Sequence, residues 1–81
     1  MTMENLEKYN AIFMDTFAVD EADLNEDFTS ANVEAWDSVG HMNLISYLEE
    51  EFDIMMESDD IVDLQSYEAG KEILAKYGIE F

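Results

Sequence analysis

The chain has 81 residues and a mass of 9.3 kDa, room for one domain spanning 1–81. Residues 1–37 carry ten acids and one Lys and residues 38–81 eleven acids and two Lys, so each half stands at −9 and the whole at −18. That uniform excess excludes nucleic acid and anionic membranes, which need cationic patches, and favours a partner with a basic surface.

Nearly half of the residues are apolar, enough to build a core and too many for a solvated tail. Cysteine is absent, so no disulfide and no thiolate metal site reinforces the domain. No apolar run approaches the roughly 20 residues that span a bilayer, and the N-terminal residues lack the basic and apolar runs of a signal peptide. A cytoplasmic monomer that inserts into no membrane is the expectation.

In chain order, Leu6, Tyr9, Ile12, Phe13 and Phe17 recur at helical spacing and predict an amphipathic helix over about 2–18. Residues 19–37 break the period. Nineteen residues is long for a structureless connection, and Val19, Leu24, Phe28, Val33 and Trp36 predict that it packs on the core, with a helical turn opening at Thr29-Ser30. The second helix, Ser38 to about Phe52, is the clearest: Met42, Leu44, Ile45, Leu48 and Phe52 gather inward, and Val39, Asn43, Ser46, Tyr47 and Glu50 point outward. Asp37 and Ser38 offer it capping oxygens. A short third helix, about 58–64, follows an extended Ile54-Met55-Met56. The last runs from about Ser66, its N-cap, to Tyr77, with Tyr67, Ile73, Leu74 and Tyr77 inward and Gly78 as its stop. The expected fold is all-α: a four-helix bundle of three longer helices and a short third one, with a long first loop. Met14, Met42, Met55 and Met56 are expected to fill gaps in its core.

Chemistry has one natural place, Trp36-Asp37-Ser38-Val39-Gly40-His41. A serine at a helix start after a long loop has an accessible hydroxyl, and the N–H groups there favour an attached phosphodiester. Taken alone, Asp37 and Ser38 equally suit simple capping. His41, the single histidine, follows Ser38 by one turn, but a Ser–His nucleophile would also need an orienting group and an oxyanion hole. His41 reads as lining the edge of the core, and Trp36 as anchoring the loop. An EF-hand is excluded, because a Gly at its sixth position would place Ala35, Gln65 or Ile73 first.

Asp37-Ser38-Val39, followed by Met42-Asn43-Leu44-Ile45 and by Leu48-Glu49-Glu50-Glu51-Phe52-Asp53-Ile54, resembles the acyl carrier protein family. Length, acidity, helix order and the long first loop agree, and the specific likeness runs from Trp36 to Ile54. The resemblance implies a carrier with no enzymatic activity of its own, in which Ser38 bears a 4′-phosphopantetheine arm derived from coenzyme A. An acyl or aminoacyl group would be held on it as a thioester for a biosynthetic pathway. Asp37, Val39 and His41 would lie near the arm, and Asp37, Val39, Asn43, Ser46, Tyr47 and Glu50 would meet partners. Those partners would be a phosphopantetheinyl transferase, a loading ligase for acyl or aminoacyl groups, and an acyltransferase or synthase. Gly40 and Asn43 stand where carriers of fatty acid synthesis often have acids, and no Gly-Gly precedes the serine as it commonly does in peptidyl carriers. The alternative is an acidic helical adaptor that binds a basic protein on the same surface without a prosthetic group.

Overall fold

A computed structural model describes residues 2–81. The first amphipathic stretch forms α1, Thr2–Phe17, and buries Tyr9, Phe13 and Phe17 along one stripe, with Leu6 and Ile12 half-buried beside them. It stops because Ala18 turns into the left-handed region (φ 56°), which sends the Val19 N–H back to the Met14 carbonyl at 3.2 Å. α2, Ser38–Phe52, ends the same way at Asp53 (φ 54°). α3, Ser58–Asp63, is six residues long. α4, Tyr67–Ala75, begins where Ser66 accepts the Ala69 N–H at 2.9 Å and runs out through a turn to Gly78 (φ 87°). The protein is thus all-helical, with four α-helices and no strand among the described residues.

The long connection differs in detail from the sequence expectation. A 3-10 turn, Glu21–Asp23, closed by the Asp20 N–H on Asp23 Oδ2 at 3.1 Å and the Asp23 N–H on the Asp20 carbonyl at 3.0 Å, was not foreseen. The helical turn expected at Thr29-Ser30 does form, with the Asn32 and Val33 N–H groups on the Thr29 carbonyl, and it goes no further. The backbone on both sides is already committed: Thr29 pairs with Ser66 in an isolated antiparallel bridge, the Ser30 N–H bonds the Gln65 carbonyl at 2.9 Å and the Tyr67 N–H bonds the Phe28 carbonyl at 2.9 Å. The loop does pack as its apolar residues require. Phe28 and Trp36 are buried, and Val19, Leu24 and Val33 are half-buried against the core.

The centre of the molecule is aromatic. Phe13 lies within 6 Å of Tyr9, Phe17, Phe28, Trp36 and Tyr67, in edge-to-face and tilted pairs, arrangements that add to the burial of each ring. Leu44, Ile45 and Leu48 of α2 and Leu64, Ile73 and Leu74 complete this core. The tyrosine hydroxyls inside it are paired. The Tyr9 hydroxyl donates to the Tyr67 carbonyl at 2.6 Å, and the Tyr67 hydroxyl donates to Asn10 Oδ1. Burial raises the pKa of both phenols, so they stay donors.

The methionines do not all serve as core filler. Met56 is buried, Met14 is half-buried, and Met42 and Met55 are exposed. At roughly 100° per residue, Met42 lies about 110° from the centre of the arc formed by Leu44, Ile45 and Leu48, beyond the edge of the buried stripe. Met55 follows the turn at Asp53, in an extended stretch whose alternate residue, Met56, faces in.

The third helix is held by polar contacts that residue spacing does not reveal. Asp60 is buried, with Oδ1 accepting from Lys76 Nζ at 2.6 Å and Oδ2 accepting from the Tyr77 hydroxyl. The Tyr77 oxygen in turn accepts the Glu57 N–H at 2.9 Å, and Glu49 of α2 accepts the Met56 N–H at 3.0 Å. Hydrogen bonds from Lys76 and then Tyr77 hold the Asp60 carboxyl below its usual pKa, and the same bonds raise those of Lys76 and Tyr77.

Candidate functional site at the start of the second helix

The chain enters α2 through an extended Asp37 whose Oδ1 accepts the Gly40 N–H at 2.8 Å, while its carbonyl accepts the His41 N–H at 2.8 Å. Asp37 alone is therefore the cap. Ser38 is the first helical residue, exposed, and its hydroxyl is spared that duty. With Gly40 and His41 satisfied, the N–H groups of Ser38 and Val39 remain at the helix start, the usual donors for an anion at that place.

Gly40 has a reason that propensity hides. It is buried, and a Cβ there would run into the Ala35 carbonyl oxygen and press on the Phe17 ring. The helix start can thus lie directly on the preceding loop, and the propensity lost by glycine, roughly 1 kcal/mol, is the cost of that approach.

Two residues fix the site from within. Trp36 is buried and stacks on Phe17 with 5.0 Å between ring centroids. Its Nε1–H donates to His41 Nδ1 at 3.0 Å, and His41 Nε2 lies 2.7 Å from the Ile61 carbonyl of α3. His41 is half-buried at the core edge, as expected. Both of its ring nitrogens are engaged, leaving none to take a proton from Ser38.

Ser38, Asp37, His41 and Trp36 are brought together around an open cleft of about 400 Å³, whose other walls are Ser30 and Gln65. Ser30 Oγ donates to Gln65 Oε1, and Gln65 Nε2 donates to the Val62 carbonyl at 2.7 Å. Ser30 and Gln65 carry no signal in the sequence: they lie 35 residues apart and meet through the bridge between Thr29 and Ser66. Comparison with protein-family models and with curated proteins found no match.

The other expected site residues lie along the outer side of α2. Val39 is 69% exposed, Tyr47 is 48% exposed, and Asn43, Ser46 and Glu50 are exposed as well. Val39 lies outside the cleft. Asn43, Tyr47 and Glu50 line a separate groove of about 570 Å³ with Glu51 of α2 and Ile12, Asp15 and Thr16 of α1. Each of the three lysines pairs with an acid: Lys8 with Glu51, Lys71 with Glu68 and Lys76 with Asp60. Eighteen of the twenty-one acids therefore have no cation partner among the described residues. No helix among the described residues is long and apolar enough to cross a membrane.

Proposed function

We propose that the chain is a carrier protein, modified on Ser38 with a 4′-phosphopantetheine arm, that presents an acyl or aminoacyl group to partner enzymes. The observation that carries this reading is the state of Ser38: exposed at the first position of α2, with capping assigned to Asp37 and an open cleft beside it. The residues present suit such a group. Ser38 Oγ is the attachment atom, the free Ser38 and Val39 N–H groups suit the charge of a phosphodiester, and Ser30 and Gln65 offer hydrogen-bonding groups along the cleft. When bound, the arm supplies a thiol that carries the cargo as a thioester, which this cysteine-free chain cannot supply itself. A tether on a compact body raises the effective concentration of the cargo at a docked enzyme.

The chain's own part is to hold Ser38 outward, to keep the loop before it fixed through Trp36 and His41, and to attract basic partners. Val39, Ser46 and Glu50 supply an exposed face with an apolar point and a carboxylate, flanked by the groove at Tyr47. An unmodified acidic adaptor would use the same face, and its unpaired carboxylates support that second reading. Mass spectrometry of the intact chain after incubation with coenzyme A and a broad-specificity phosphopantetheinyl transferase separates the two. One added arm is expected on the wild type and none on Ser38→Ala. Because Ser38 is not the cap, Ser38→Ala should change stability by no more than about 0.5 kcal/mol. No added mass on a folded wild type favours the adaptor.

A further inference from the structure

The single histidine and the single tryptophan meet at the start of α2 in a geometry that permits one protonation state. An indole Nε1–H can only donate and a backbone carbonyl can only accept. His41 Nδ1 receives the Trp36 N–H at 3.0 Å, so it carries no proton; Nε2 faces the Ile61 carbonyl at 2.7 Å, so it does carry one. The ring is neutral, in the Nε2–H tautomer. Its two bonds join three parts of the fold, with the loop ending at Trp36 on one side, α3 on the other, and α2 with Ser38 between them.

We propose that His41 is a proton-operated latch, closed when neutral, that releases Trp36 and the end of the 19–37 loop when it is protonated. Imidazole changes charge between pH 5 and 8. A second proton can bind only at Nδ1, whose lone pair the Trp36 N–H occupies, so the ring is protonated only once that bond has opened. The closed form thus binds one proton fewer than the open form. Acid favours opening, by up to about tenfold per pH unit for one linked proton. The other charged groups around His41 do not duplicate the effect. Asp37 shares the cleft but has Oδ1 on the Gly40 N–H. On α3, Asp60 is turned to Lys76 and Tyr77, which hold its carboxyl below the usual range, and Asp59 and Asp63 are exposed. The loop contributes Trp36 and Ser30, and the turn before α4 contributes Gln65, none of which is charged. The latch does not depend on whether Ser38 is modified.

Two measurements on the full chain test it. Acrylamide quenching of Trp36 emission, followed from pH 8 to pH 5, should rise several-fold in the wild type, because the indole is 5% exposed when latched. It should stay flat in His41→Gln, which cannot titrate, and far-UV ellipticity should hold in both. A flat wild-type profile, or the same rise in His41→Gln, overturns the proposal. If His41→Gln does not fold, the nitrogen-15 shifts of the wild-type imidazole at pH 8 still decide. A protonated Nε2 and bare Nδ1 support the latch, and the opposite tautomer or a charged ring overturns it.

Discussion

The aromatic centre and the third helix are secured by opposite means. Around Phe13, the rings of Tyr9, Phe17, Phe28 and Tyr67, from α1, the loop and α4, exclude water from one another, so that region rests on burial of apolar area rather than on charge. α3 has six residues, and the one it buries is a carboxylate, Asp60. Its attachment comes from Asp60 to Lys76 and Tyr77, from the Glu57 N–H to Tyr77, and from the Ile61 carbonyl to His41. A small acidic domain can thus keep a fixed apolar centre and still leave one element answerable to protons and ions. That element adjoins the proposed site, and the aromatic centre supports the site from behind.

The largest effect expected from this contrast is at Phe13. Phe13→Ala should cost about 3–5 kcal/mol in chemical denaturation, against a total of roughly 4–12 kcal/mol for a domain of this length. A loss below 1 kcal/mol would mean that the aromatic cluster is not the stabilising centre. Gly40→Ala comes next. The added methyl meets the Ala35 backbone, which cannot swing away as a side chain can, so a destabilisation of about 1–3 kcal/mol is expected despite the better helix propensity of alanine. A gain in stability would place the loop farther from α2 than described.

The third test addresses the polar region. The folded-state pKa of Asp60 is lowered, so its contribution is present above the ordinary aspartate value of 3.8 and is lost as pH falls below it through the folded value. Asp60→Asn should therefore be less stable than the wild type at pH 7, with the gap narrowing on acidification below about pH 4. Thermal midpoints of both proteins across that window check the sign, and a gap that does not depend on pH would show that the carboxylate acts through shape alone. The smallest effect is the response to salt. Screening at physiological ionic strength, where the Debye length is roughly 8 Å, should relieve repulsion among the unpaired acids and raise the midpoint by a few degrees, about what 0.5–1 kcal/mol gives in a domain of this size. A fall would mean that the three lysine pairs outweigh the repulsion.

Much of this was legible in residue spacing. The period of Tyr9, Phe13 and Phe17 and that of Leu44, Ile45 and Leu48 determine α1, α2 and their buried faces, because a helix repeats every 3.6 residues whatever surrounds it. Ser66 and Gly78 mark the ends of the last helical stretch by local chemistry, a side-chain acceptor and a left-handed backbone. The exposed position of Ser38 follows from the same arithmetic. Tertiary structure alone decided the rest. The choice of Asp37 over Ser38 as cap depends on which oxygen reaches the Gly40 N–H. The burial of Asp60 depends on Lys76 and Tyr77, sixteen and seventeen residues away. The need for glycine at 40 depends on the approach of the Ala35 carbonyl, and the tautomer of His41 on one neighbour in the loop and another on α3. Each of these is a contact between segments whose relative placement is set by packing, and periodicity along one segment carries no record of what another brings against it.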